Sequence, residues 1–171
     1  MPTATHGSAS VLIAASADEV YRRVTDVTTI GERSPECYAA KWLDGTTEAV
    51  KGARFKGYNK LGPIRWSTVC IVTEADAPHA FGFVVVSGKG REETRWRYLI
   101  EPAGDTNATG DTGNTGNTVR LTESYEFLWC PAAARVLELP FPRDRQLRRG
   151  LQTTLQRVKS AVEQHAGLTA S

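Results

Sequence analysis

Hydrophobic and polar positions change their period twice along the chain. In residues 8–14, Val11 and Ile13 alternate with Ser10, which predicts a short first strand. Ser16 and Glu19, three residues apart, form a capping box in which each side chain satisfies a free backbone N–H at a helix start. Val20, Val24 and Val27 supply the apolar stripe of the helix that follows. Residues 26–36, with Thr, Gly and Pro among them, read as a second short helix or a helical turn. From residue 37 to residue 128 the period becomes two, with strands expected at 37–43, 53–59, 64–74, 79–87, 93–101 and 118–128. Turns at Asp44-Gly45, Lys60-Leu61-Gly62-Pro63 and Gly88-Lys89-Gly90 make these an antiparallel meander. Pro131 opens a possible helix over 131–139 that Pro140 and Pro142 end. Asp144 then caps a long last helix, where Leu147, Leu151, Leu155, Val158 and Val162 recur every three or four residues over about five turns. The domain is expected to span 8–164. Residues 104–117, built from Gly, Asn, Thr and Asp, read as a flexible hairpin loop, and 165–171 as a frayed tail.

A strand, two short helices, a run of strands and one long helix make an α+β layer architecture, a curved antiparallel sheet packed on the long helix. Directly opposed residues share a face, so turns give a register and the register gives a parity. Pairing Asn59 with Trp66, Val72 with Phe81, Phe83 with Trp96 and Trp96 with Glu123 sorts the strands into two faces. One collects Phe55, Gly57, Asn59, Trp66, Thr68, Cys70, Phe81, Phe83, Trp96, Tyr98, Leu121, Glu123, Tyr125 and Phe127. The other collects Arg54, Lys56, Arg65, Arg95, Arg97, Arg120 and Glu126. The aromatic face is the one the helix must cover, with Leu151 and Leu155 facing it. Asn59, Thr68, Tyr98, Glu123 and Tyr125 interrupt it, and a carboxylate buried there has to be protonated, paired or wet. Such a mixture predicts an apolar-walled cavity with a few orienting polar groups.

Composition narrows the function classes. The 171 residues are 40 % apolar and 23 % charged, which suits one globular domain. Lys plus Arg is 21 and Asp plus Glu is 19, a net charge of +2, so charge alone points to no nucleic acid. No apolar run approaches the roughly 18 residues that span a bilayer, and residues 1–10 lack the pattern of a signal peptide, so the expectation is a cytoplasmic protein with no membrane insertion. Cys37, Cys70 and Cys130 are widely spaced and read as small buried or half-buried thiols. His6, His79 and His165 are scattered, without metal-ligand spacing, and no dinucleotide, phosphate-loop or nucleophile-elbow motif occurs, so no cofactor or metal is expected.

The pattern Gly52-x-Arg54-Phe55-x-Gly57-x-Asn59, Arg65-Trp66-x-Thr68, Phe81-x-Phe83-x-Val85, Trp96-x-Tyr98 and Thr122-Glu123-Ser124 resembles the SRPBCC superfamily, and within it the polyketide cyclase/dehydrase and lipid-transport branch. The resemblance covers about residues 8–163 and implies the helix-grip fold of START domains and the birch-pollen allergen. It also widens the functional expectation to the cyclases, lipid and steroid carriers and receptors that share this fold. The aromatic face favours binding of a small hydrophobic molecule of polyketide, lipid or steroid-like kind, by a monomer or homodimer. The alternative is a cyclase or dehydratase in which Glu123 is the general acid/base and Tyr98, Tyr125 or Asn59 donates to the developing oxyanion. A third reading gives the basic strip Arg143, Arg145, Arg148 and Arg149 to a partner.

Overall fold

The period-two segments pair in chain order because short turns bring consecutive strands together before any longer loop can close. A computed structural model describes residues 6–103, 117–129 and 143–169. The loop expected at 104–117, the helix expected at 131–139, its prolines, Cys130 and the end of the tail fall outside them, apart from Asn117. Among the described residues the strands are β1 (His6–Ile13), β2 (Cys37–Trp42), β3 (Arg54–Leu61), β4 (Ile64–Asp76), β5 (Ala80–Val86), β6 (Glu92–Pro102) and β7 (Val119–Phe127). They form one antiparallel sheet in the order β1-β7-β6-β5-β4-β3-β2. The first strand therefore lies beside the last, and the chain crosses from one sheet edge to the other through α1 (Ala17–Thr25), a 3-10 turn (Val27–Thr29) and α2 (Ile30–Arg33).

The capping box is present: Ser16 Oγ accepts from the Glu19 N–H at 3.3 Å, and Glu19 accepts from the Ser16 N–H at 2.9 Å. Val20, Val24 and Val27 are buried. Gly31 lets α2 sit directly on β2, since a Cβ there would lie 2.2 Å from the Tyr38 carbonyl oxygen.

The long helix α3 (Arg143–Thr169) buries all five positions of its apolar stripe. The side chain of Asp144, the expected cap, is outside the described residues. The helix continues to Thr169 where a frayed tail was expected; Gly167 weakens a helix by only about 1 kcal/mol, and no proline follows to stop it. Polar groups tie α3 to the β1 edge. Lys159 Nζ donates to the Leu12 carbonyl at 2.8 Å, and Glu163 accepts from the Ala14 N–H at 2.9 Å.

The face parity agrees with the sequence, but two registers are each shifted by two residues. Val72 opposes Phe83, not Phe81: the turn already pairs Asp76 with Ala80 and Ala75 with Phe81, and a bulge between Val72 and Glu74 then moves the register by one. Trp96 opposes Tyr125, not Glu123, and Glu123 instead faces Tyr98; residues 103–118 separate the two strands, too long a stretch of sequence for a turn motif to fix the register. A slip of two preserves the face. The inner face carries an aromatic chain from Trp42 through Phe55, Phe83 and Phe81 to Tyr98, with ring centroids 5.1–6.3 Å apart.

Candidate functional site

Between the concave sheet and the first half of α3 lies a cavity of about 470 Å³. That volume is in the ordinary range for small-molecule sites. Phe55, Asn59, Trp66 and Thr68 reach it from β3 and β4, Phe83, Trp96, Tyr98 and Glu123 from β5, β6 and β7, and Leu151 from α3. Strand alternation puts the sheet residues there, each at an inward position of its strand, and the apolar stripe of α3 supplies Leu151.

Four residues expected at the site do not line it. Phe81, Leu121 and Leu155 are at most 1 % exposed within the main apolar cluster, and Tyr125 packs against Leu147, Leu151, Trp96 and Phe127. They share the face of the cavity but lie where the helix already closes on the sheet, so their rings and methyl groups are spent on packing. The structure adds lining residues from the helices over the sheet and from the edge strand β2, for which no register follows from the sequence. These include Ile30 and Pro35 around α2, Cys37 on β2, and Leu147, Gly150 and Thr154 on α3. Their periodicity identified Leu147 as apolar, but nothing in it placed α2 over the cavity.

The polar groups fall into two sets. Asn59 Nδ2 donates to Thr68 Oγ1 at 3.3 Å, beside Cys37 and Cys70, which are free thiols. Burial pushes the Cys70 thiol up to about 12 and raises that of Cys37, so both are neutral. The second set is Tyr98 and Glu123. Tyr98 Oη donates to Glu123 Oε1 at 2.6 Å, both residues are buried, and Glu123 Oε2 has no hydrogen-bond partner among the described residues.

Burial pushes the Glu123 carboxyl up to about 7. The Tyr98 hydrogen bond and the Arg33 charge pull it part of the way back. The Tyr98 hydroxyl is held well above its ordinary value by burial and then by the charge of Glu123.

Arg33, which sequence reasoning missed, is 1 % exposed. Its guanidinium donates to the Val24 carbonyl at 2.9 Å, the Asp26 carbonyl at 3.2 Å and Thr29 Oγ1 at 3.1 Å. It binds the crossing segment together and sets a positive charge behind the Tyr98–Glu123 pair. In the sequence it is one arginine in a polar stretch, and only its burial marks it out.

Among the described residues no group of three or more His, Cys, Asp or Glu side chains forms a metal-ligand set, and no helix is long and apolar enough to cross a membrane. Of the basic strip, Arg145, Arg148 and Arg149 are exposed, and Arg149 borders the cavity; the Arg143 side chain is not described.

Comparison with known proteins bears on this architecture. The family model described as polyketide cyclase/dehydrase and lipid transport matches residues 4–163. The chain belongs to that family. A polyketide-cyclase-like protein of Corynebacterium glutamicum, solved in solution, is 28 % identical over 95 % of this chain and 94 % of its own, with a TM-score of 0.58. A START superfamily protein from Mycobacterium smegmatis has a TM-score of 0.64 at 14 % identity, over 93 % of this chain and 97 % of its own. The di-domain ARO/CYC BexL from the BE-7585A biosynthetic pathway has a TM-score of 0.61 at 18 % identity, over 92 % of this chain and 46 % of its own. These last two likenesses show the fold. No curated protein matches the chain.

Proposed function

We propose that the chain binds a small, mainly apolar molecule of polyketide, lipid or steroid-like kind between its sheet and α3, and that the Tyr98–Glu123 pair meets a polar group of that molecule. The observation that carries this reading is a buried carboxyl group, one oxygen of which has no hydrogen-bond partner among the described residues, in a cavity walled by Phe55, Trp66, Phe83, Trp96 and Leu151. A solid core would not keep such a group, because an unsatisfied buried acceptor costs about 1–3 kcal/mol. Membership of a family described by polyketide processing and lipid transport supports it.

Gly150 provides the test. It lines the cavity, and a Cβ built there meets only the Pro35 ring, at 3.7 Å. Gly150→Trp therefore places a ring in the cavity from a helix position that gains propensity on losing glycine. Titration with the neutral fluorophore N-phenyl-1-naphthylamine is expected to saturate with the unsubstituted protein. The variant should bind at least about tenfold more weakly, with an unchanged or higher Tm. Equal binding by both proteins would refute the cavity as the site.

One observation favours a second reading, catalysis. A carboxyl group near 7 is matched to proton transfer at neutral pH. Glu123 would take a proton from carbon alpha to a carbonyl, leaving the electron pair on the carbonyl oxygen as an enolate ready for aldol closure or loss of water. The protein should then speed deuterium exchange at the alpha carbon of an aromatic β-diketone, and Glu123→Gln should abolish the acceleration. Exchange no faster than in buffer would leave the binding reading alone.

A further inference from the structure

The β3–β4 hairpin ends in an exposed apolar tip. Leu61 and Ile64 oppose each other across the Gly62-Pro63 turn, and they are 39 % and 62 % exposed. Gly62 holds a φ of 56°, which favours glycine and allows so short a reversal. Turns of this kind ordinarily carry polar side chains in water, and here both flanking positions are aliphatic.

Behind the tip the outer face is basic. Lys60 directly opposes Arg65, and Lys41 directly opposes Lys56. Like charges placed opposite each other destabilise a sheet. No ion pair joins any of the four to a carboxylate among the described residues. Their close contacts are aromatic: Lys60 and Arg65 lie 5.8 and 5.6 Å from the Tyr38 ring centre, and Lys56 lies 5.6 Å from that of Tyr58. The nearby acids do not cancel them. Asp44 pairs with Arg54 at 3.4 Å, Glu36 is half-buried with a partner of its own, and Glu93 is half-buried at the cavity.

We infer that this hairpin is a docking surface for an anionic lipid bilayer. An aliphatic tip enters the boundary between headgroups and acyl chains, and a collar of Lys and Arg meets the negative surface around it. Tyr38, 40 % exposed between two cations, is the amphipathic ring that suits the headgroup level. Charge complementarity thus selects the occupant, and neutral lipid would satisfy only half of the surface. Lys60 and Leu61 also line the cavity, so docking would seat one end of it on the membrane, where an apolar ligand is most concentrated. The docking itself does not depend on what the cavity binds.

The test is co-sedimentation of the full chain with phosphatidylcholine vesicles, with and without phosphatidylglycerol. Binding is expected only with phosphatidylglycerol, and it should weaken in high salt. Ile64→Asp and Arg65→Glu should each reduce partitioning at least about tenfold. Both residues are exposed and outside the cavity, so Tm and N-phenyl-1-naphthylamine binding should persist. No preference for the anionic lipid, or unaltered partitioning of Ile64→Asp, would overturn the inference. So would vesicle-independent self-association that Ile64→Asp abolishes, since the tip would then serve a second copy of the chain.

Discussion

Glu123→Gln is expected to stabilise the protein at and above neutral pH. The carboxyl has a value near 7 in the folded chain against 4.5 without the fold. Between those two values the folded protein holds a proton that the unfolded chain has released. Stability is therefore fully present below about pH 4.5, falls as pH rises through the window, and has lost about 3 kcal/mol once pH exceeds 7. Glutamine has nearly the same shape, still accepts from Tyr98, and does not titrate, so the variant should lack that slope. Denaturant unfolding of both proteins at several pH values checks this. The gap in favour of the variant should widen by about 3 kcal/mol between acid and mildly alkaline pH. Parallel profiles would mean that Glu123 is hydrated or better paired than its buried geometry implies. The same variant bears on function, because a group that costs stability while ionised makes sense where a ligand or a proton-transfer step uses it.

Arg33→Met should have the largest destabilising effect. Methionine keeps much of the stem volume but leaves the Val24 and Asp26 carbonyls without their guanidinium donor. It also removes the positive charge that draws the Glu123 carboxyl downward. Losing one member of a buried charged network costs about 3–5 kcal/mol, which for a chain of this length lowers Tm by roughly 6–20 °C. The loss should be greater at pH 8 than at pH 5, since Glu123 is ionised at the higher pH. In the Glu123→Gln background it should shrink, because the neighbour then has no charge to leave uncompensated. A Tm change below about 2 °C at pH 8 would show that Arg33 only fills space, and a cost unaffected by Glu123→Gln would show that its role ends at the backbone carbonyls it binds.

Both predictions rest on residues that the sequence treats very differently. Glu123 was legible because it breaks an aromatic face at an inward strand position, and parity survives a register slip of two. Its partner was not legible. The expected register set Glu123 against Trp96, and the β6–β7 pairing put Tyr98 there instead. Arg33 could not be found at all. No pattern distinguishes a buried arginine from an exposed one in a polar segment, and its role follows from α2 lying over the sheet. Phe81, Leu121, Tyr125 and Leu155 erred the other way, since a shared face does not say where that face is open and where it is filled.

What the sequence determined by itself is periodic and local: the α1 cap, the strand alternation, the stripe of α3, and hence a sheet covered by a helix with a polar group in its apolar face. These follow from neighbouring residues alone, because backbone geometry makes the spacing of side chains a statement about direction. Tertiary structure decided what depends on distance in space. It left about 470 Å³ open beside α2, set Tyr98 against Glu123, and put Arg33 behind them. A gap between layers is the difference between two packed surfaces far apart in the chain, and neither surface encodes it alone.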